Sequence, residues 1–414
     1  MSAGSADAVI TGYGVVTSAG CDRSTCAAAL AASRGRFTEI DRGAGYHRRP
    51  GARLGATVAA SELTPWLSPA QARRMSPPSR FAVAAARQAI EQAGLEPPER
   101  TRVRSSRGET GVFLGTSYGP SSYSERILRQ VFLEGPTAAS PMLFTESVAN
   151  APAAQVALLR KAYGPNVTVT EREASAVMAL GRAALAVAEG RASSALAGGV
   201  EELCPLLHAV LDGYRALAHG DDEAPRPFDA RRRGFVAGEG AVVAVVERER
   251  DAAARGARPL GRIGFFARGF DPTAAPTSWS ERPAPLSARL GVALDEAGWM
   301  PESIDLVVSG ASGSRPGDRA EARVLRTVWG ERPLPPVLAP KAVLGEWVGA
   351  PLIAGLAALE GGHFGATPGF EQVDPELGLV PHDGRELEPP RRILLSVLSA
   401  GGAGAWLGLE GAPR

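Results

Sequence analysis

Cysteine is scarce in this sequence, with only Cys21, Cys26 and Cys204 among 414 residues. The number is odd and no two cysteines have the spacing of a metal-binding pair, so neither a disulfide framework nor a zinc site is predicted. Buried free thiols in a reducing compartment are the simplest interpretation, and we therefore expect a cytoplasmic protein.

Membrane and nucleic-acid signals are also missing. No apolar run is long enough to span a bilayer, and the first residues lack the basic-then-apolar pattern of a signal peptide. Forty-five basic residues against 44 acidic ones leave a formal net charge of +1. This balance gives no reason to expect a nucleic-acid or anionic-membrane surface.

Phosphate-binding loops are absent as well. Gly238-Glu239-Gly240 and Gly401-Gly402 are glycine-rich, but neither stands between a strand and a helix as a phosphate loop must. With no metal-ligand spacing either, the sequence predicts no cofactor and no metal.

One stretch, residues 167–202, organises the remaining pattern. A β-branched run at 167–170 predicts a short buried strand, and 171–173 predict a turn. The following helix, 174–189, has small apolar residues on most faces, so it should be buried. Its N-terminus directs free N–H groups and a positive dipole end at the turn residue. That geometry suits a nucleophile, but the turn presents Glu173.

The rest of the chain alternates predicted strands and helices. This alternation in both halves favours α/β layering, and the length allows two core-bearing units. Residues 117–136 resemble a lid, and 144–163 are predicted as one helix. Strands are predicted at 8–16, 111–116, 194–200, 241–246, 304–308, 392–399 and 405–409.

The turn and its flanks resemble the nucleophile elbow of the β-ketoacyl synthases, which are condensing enzymes of the thiolase superfamily. The matching residues are Gly164-Pro165 before the strand, Gly181 in the helix and Ala197-Gly198-Gly199-Val200-Glu201 after it. Residues 225–240 resemble that family's Arg-Pro-Phe-Asp and Gly-Phe-Val-x-Gly-Glu-Gly signature. The likeness extends over about residues 8–410.

The resemblance implies the thiolase fold, a five-layered αβαβα arrangement of two similar halves. We expect the halves to divide at 1–255, which contains the elbow, and 256–414.

The family's reactive residues are the part that does not match. Glu173 stands at the position of the catalytic Cys, Gly310 at the first His and Glu346 at the second, while Lys341 is retained. An acyl-glutamate would be an anhydride, more reactive than the thioester that formed it, and glycine offers no side-chain donor. Two carboxylates in one pocket repel unless one is protonated. We therefore predict that the chain does not catalyse condensation alone.

One group in this family shows the same loss. Chain length factors of type II polyketide synthases lack the nucleophile, usually have Gln there, and pair with a Cys-containing ketosynthase. Their interface forms the tunnel into which a polyketide on an acyl carrier protein extends. By resemblance, Ser121, Ser124 and Leu128 would line the tunnel end on one helix face, and Gly401 would lie in the loop that carries the family's gating Phe. The small residues favour an extended, polyene-like chain.

Several alternatives stay open at this stage. Glu173 could be a solvated turn residue, Glu346 and Lys341 could form ion pairs, and the Ser121 face could be an ordinary helix surface. As a whole, the chain could instead be an acyl-carrier-protein decarboxylase or hydrolase with Glu173 as general base. It could also be a homodimer of thiolase fold without chemistry.

Overall fold

The computed structural model describes residues 7–46, 51–95, 109–220 and 222–411. Residues 97–109 have the polar composition of a linker, and nearly all of them lie outside these ranges. The strands in these ranges are β1 Ala8–Thr17, β2 Thr38–Glu39, β3 Leu54–Ala56, β4 Thr110–Gly115, β5 Asn166–Val169, β6 Ser194–Glu201, β7 Ala237–Gly238, β8 Gly240–Arg248, β9 Gly261–Phe270, β10 Leu306–Ser309, β11 Val337–Leu338, β12 Arg392–Leu398 and β13 Ala403–Gly411.

The helices follow the same alternation, and short 3₁₀ turns connect some of them. The α-helices in the described ranges are α1 Arg23–Ala31, α2 Pro69–Ala72, α3 Pro77–Gln92, α4 Ser121–Glu134, α5 Pro141–Ser147, α6 Ala151–Arg160, α7 Ser175–Ala188, α8 Pro205–Gly213, α9 Glu249–Ala254, α10 Ala284–Ala297, α11 Arg315–Trp329, α12 Lys341–Leu344 and α13 Ala350–Leu359. None of these helices combines the length and apolarity that crossing a membrane requires.

Ten strands form one mixed sheet with an internal repeat. Its order is β11-β10-β12-β13-β9-β1-β8-β6-β4-β5. On one side, β5, β4 and β6 are parallel, and β8 and β1 follow antiparallel. On the other, β11, β10 and β12 are parallel, and β13 and β9 follow antiparallel. Among the described strands, a short β1–β9 pairing joins these two halves of the sheet. Each half has the same plan.

The central layer is built from α7 and α13. The α7 helix contacts β4, β6 and β8 of the first half and β9 and β13 of the second, while α13 contacts β10, β12 and β13. Gly181 allows this close approach, because a Cβ there would lie 2.2 Å from the ring of Phe266 on β9. The outer faces are covered by α3 on the first half and by α10 and α11 on the second. Burial of α7 is therefore confirmed.

Two local predictions are wrong. The lid-like segment is not one of them, since it contains α4, the helix expected to carry Ser121, Ser124 and Leu128. The helix predicted at 144–163 is two helices, because Val148 is extended and Pro152 belongs in a first turn, not in a helix interior. The elbow strand β5 is the last strand of the sheet, and only Val169 is buried. A β-branched run cannot distinguish a central strand from an edge strand.

Candidate functional site at the elbow

The elbow is a strained turn held by two serines, Ser175, which accepts the Glu171 amide at 2.8 Å, and Ser399. A 3₁₀ turn, Arg172–Ala174, joins β5 to α7, and Arg172 adopts a left-handed φ of 50°. Ser399 receives the N–H of Ala174 at 3.0 Å and donates to the carbonyl of Glu171 at 2.9 Å. The closing strands of the second half thus fix the turn that presents the residue at 173.

Glu173 lies at this turn with its carboxyl group facing inward. Its Oε2 atom accepts a hydrogen bond from the Ala400 amide at 3.2 Å. Burial of the carboxyl group, together with the nearby charge of Glu346, raises its pKa, and the Lys341 ammonium opposes that rise. Glu173 is therefore not a solvated turn residue.

Lys341 and Glu346 form a buried ion pair. Lys341 Nζ lies 2.6 Å from Glu346 Oε1, and the two side chains are 0% and 10% exposed. Lys341 is the residue retained from the family pattern, and Glu346 stands at the position that we assign to the second His. A carboxylate bound in this way cannot donate a hydrogen bond to a substrate oxygen.

Gly310 is tightly packed at the position that we assign to the first His. It directly follows β10, and its amide donates to the Ser396 carbonyl at 2.8 Å. A Cβ at this position would lie 3.0 Å from Val397 Cγ1 and 3.2 Å from Val397 Cα. A side chain here would therefore require Val397 on β12 to shift by a few tenths of an ångström.

The space between these groups is nearly filled. The cavity beside Glu173 has a volume of about 20 Å³, close to what a single water molecule needs. A thioester with an acyl chain would not fit without rearrangement. The lining residues are Ser117, Tyr118, Glu173, Glu201, Leu203, Leu207, Leu211, Phe235, Ala237, Gly238, Glu346 and Trp347.

The residues predicted to line a tunnel lie outside the elbow cavity. Ser121 and Leu128 are on α4, where Leu128 is 51% exposed. Ser124 Oγ is 2.9 Å from the Ser147 carbonyl, so this side chain faces α5 of the same chain. Gly401, with φ of 94°, is in the turn between β12 and β13. The elbow cavity includes none of these four residues.

Sequence reasoning overlooked three residues of this site. Glu201 was visible as the last residue of the family-like Ala-Gly-Gly-Val-Glu run, but it was treated only as a flank. Trp347 immediately follows Glu346, and Tyr118 follows the β4 strand. No spacing signal identified them, because their proximity to Glu173 arises only on folding.

Comparisons with known proteins identify the family. The family described as beta-ketoacyl synthase, N-terminal domain, matches residues 6–252, and the C-terminal domain of that family matches residues 272–359. The tetracenomycin polyketide synthase ketoacyl synthase beta subunit of Streptomyces glaucescens is 32% identical over 361 residues, which cover 86% of this chain and 84% of the relative. The 3-oxoacyl-(acyl-carrier-protein) synthase 2 of Vibrio cholerae is 28% identical over 362 residues, which cover 84% and 86%.

Solved structures confirm the thiolase fold. The ishigamide ketosynthase/chain length factor matches with a TM-score of 0.85 at 28% identity, covering 98% of this chain and 99% of the other. A type II acyl-carrier protein in complex with its ketosynthase matches with a TM-score of 0.86 at 20% identity, covering 98% and 99%, and supports the fold alone. The chain belongs to the beta-ketoacyl synthase family and, within it, resembles the ketosynthase beta subunits, or chain length factors, of type II polyketide synthases.

Proposed function

We propose that this chain is a chain length factor. In this role it does not condense acyl groups itself but pairs with a Cys-containing ketosynthase and shapes the tunnel for the growing polyketide. The observation that carries the proposal is the elbow: Glu173 replaces the nucleophile inside a cavity of about 20 Å³ in an otherwise intact synthase fold.

The chemistry of the elbow argues against condensation. Acyl transfer needs a nucleophile and donors aimed at the thioester oxygen. Glu346 is bound to Lys341, Gly310 has no side chain, and the carboxyl group of Glu173 receives a backbone amide. The two donors that the family's His residues supply therefore have no counterpart in Gly310 or in the ion-paired Glu346.

The surface supports pairing with another subunit. Nine large apolar side chains are exposed on neighbouring elements: α4 contacts α5 and α8, and α5 contacts α6. Exposed apolar side chains gathered on neighbouring elements usually mark a protein interface. We call these residues the apolar face: Leu128, Phe132, Leu133, Met142, Phe144, Leu158, Tyr163, Val210 and Tyr214.

The sheet offers a second binding element beside that face. The β5 strand pairs with β4 on one side and ends the sheet on the other. Its outer N–H and C=O groups are available to a strand of a partner. An edge strand next to an apolar face would extend the sheet across a large interface.

Relatives support the kind of partner. The ishigamide structure is described as a ketosynthase/chain length factor, and another fold relative is described as an acyl-carrier protein in complex with its ketosynthase. We extend these partners to the present chain: a ketosynthase subunit and an acyl carrier protein bearing the polyketide. Tunnel roles for Ser121, Leu128 and Gly401, and the division of the chain at 255/256, belong to the same proposal.

Co-expression with a ketosynthase that retains its Cys tests the function. We expect a one-to-one complex by size and mass analysis, and poor solubility of the chain alone because its apolar face is then uncovered. A stable, monodisperse homodimer that ignores the ketosynthase would contradict the proposal and favour a structural homodimer.

One observation favours an enzymatic alternative. The raised pKa of Glu173 suits a general base near neutral pH, as decarboxylation or hydrolysis of a carrier-bound thioester would require. The nearly filled cavity argues against it. Turnover of malonyl or acyl carrier protein by the isolated chain, lost in Glu173→Gln, would establish this alternative.

A further inference from the structure

Two adjacent glutamates at the end of β6 are almost fully buried. Glu201 and Glu202 are 3% and 1% exposed. Glu201 accepts hydrogen bonds from Thr116 Oγ1 at 2.9 Å, the Ser117 amide at 2.6 Å and the Tyr118 amide at 3.2 Å. Burying a carboxylate costs free energy unless it accepts hydrogen bonds. Glu201 and Glu202 together accept five, and the role of these bonds needs an explanation.

The remaining two donors belong to the first turn of α4. Glu202 accepts the Ser122 amide at 2.5 Å and Ser122 Oγ at 3.0 Å. Pro120, the N-cap residue of this helix, makes no side-chain cap hydrogen bond. Glu202 therefore serves from another element as the acceptor that an N-cap side chain normally provides, and its charge favours the positive end of the helix.

The α4 helix depends on such anchors because it is poorly buried. None of its fourteen residues is buried, and it carries Leu128, Phe132 and Leu133 of the apolar face. Most helices owe their position to an apolar side packed in the core. Here, polar contacts at its start supply part of that fixation.

We propose that Glu201 and Glu202 are positioning residues that fix α4 and so orient the apolar face toward the partner subunit. Glu201 also lines the cavity beside Glu173. The region around the inactive centre thus fastens the helix that meets the partner. This inference rests on the proposed function for the identity of that partner, but not for the fastening itself.

Amide hydrogen exchange, followed by mass spectrometry, tests the fastening without reference to a partner. In Glu202→Ala, amides of residues 117–134 should exchange about tenfold faster or more, because the charge-assisted bonds to the helix start are lost. Glu201→Ala should act in the same direction. Glu202→Gln keeps one acceptor and should restore most of the protection.

Glu239→Ala is the matched control. Glu239 is buried in the same region and accepts two backbone amides, from Val58 at 2.7 Å and Leu203 at 2.9 Å, but none from α4. Its loss should lower the unfolding midpoint without selectively accelerating exchange in 117–134. If Glu202→Ala yields no folded protein, Glu202→Gln and Ser122→Ala provide the test, with a smaller local increase of about threefold.

Binding to the ketosynthase is the second measurement. The dissociation constant should rise at least tenfold in Glu202→Ala and much less in Glu202→Gln and Glu239→Ala. Exchange in α4 no faster than in the Glu239→Ala control would overturn the inference, as would unchanged affinity of a complex whose α4 is loosened. Faster exchange in α4 in a chain that binds no ketosynthase even as wild type would support the fastening and overturn the proposed function instead.

Discussion

At the scale of single residues, the elbow has changed as a set. Lys341 is buried with Glu346, and its charge also lowers the pKa of Glu173 and of Glu321 against the larger effect of their burial. Among carboxylates the buried Lys341 ammonium has partners, whereas a lone buried charge would be costly. Glu at the positions that we assign to the family's Cys and second His is therefore electrostatically compatible with the retained Lys341.

The Lys341–Glu346 pair should be strongly coupled. Glu346→Ala leaves the ammonium without its nearest partner and should destabilise the fold by about 3 kcal/mol, whereas Lys341→Met with Glu346→Leu should cost much less. Denaturant unfolding of Lys341→Met, Glu346→Leu and the double variant measures the coupling. The exposed pair Arg385–Asp383 is the control and should show almost no coupling, because solvent screens it. A coupling energy near zero at the buried pair would contradict the expectation.

Glu173 should be dispensable for condensation. Glu173→Ala in the assembled complex should keep product formation within about tenfold, because no donor pair remains to use the carboxylate. Product yield per complex, by mass spectrometry, is the measurement. Replacing the reactive Cys of the ketosynthase is the control and should abolish product. Complete loss in an intact Glu173→Ala complex would instead make Glu173 catalytic.

At the scale of elements, α4 is a surface helix that we propose also binds the partner subunit. Phe132 and Leu133 are 79% and 77% exposed, so charging them costs the isolated fold little. Their side chains contribute to stability only when another surface covers them.

Phe132→Glu should therefore break the complex without unfolding the chain. We expect the dissociation constant for the ketosynthase to rise about thirtyfold or more, as for a central interface residue. Val292→Glu on α10 is the matched control, because Val292 is exposed but lies outside the apolar face. Equal binding of the ketosynthase by the two variants would show that α4 is not part of the interface.

The tunnel assignment makes a separate prediction for α4. Ser124 packs against α5, so Ser121 is the better position to test. Ser121→Trp adds an aromatic ring at the start of the helix. If this face borders the tunnel end, early elongation should proceed and longer intermediates should stall, since overpacking costs about 1–3 kcal/mol only for chains that reach the ring. Carrier-bound intermediates report this by mass. Unchanged product lengths in an assembled complex would contradict it.

At the scale of the whole molecule, buried acids tie stability to pH. Burial raises the pKa of Glu201, Glu202 and Glu239 to about 7 each. The folded state thus binds their protons more tightly than the unfolded chain. Their contribution to the free energy of unfolding is complete at pH values below the ordinary pKa of glutamate. It is lost as pH rises through about 7. Asp229, whose pKa is lowered mainly by Arg231 and backbone amides against its burial, acts oppositely and stabilises less as pH falls through its lowered pKa.

The thermal midpoint should consequently fall between pH 6 and pH 8.5. Calorimetry or circular dichroism at constant ionic strength measures it, and Glu239→Gln should flatten part of the slope because the group no longer ionises. A midpoint that stays level or rises over this interval would show that these carboxyl groups are not destabilised by burial.

The amino-acid sequence was enough to predict the layered α/β fold and the strand–turn–helix order of the elbow. The prediction depends on local features, which can be read from the sequence without a structure. These features are the strand and helix periods, the small residues in 174–189 and the spacing of the family-like motifs. They also located Glu173, Gly310, Glu346 and Lys341, because each position is counted from a neighbouring motif.

How these residues contact one another could not be predicted from the linear pattern. The small cavity, the tight packing at Gly310 and the hydrogen bonds of Glu201 and Glu202 to residues 116–122 bring together distant parts of the chain. The same holds for the apolar face, where side chains with a helical period proved exposed rather than core. A linear pattern shows which side chains share a face of an element, but only packing determines what that face meets.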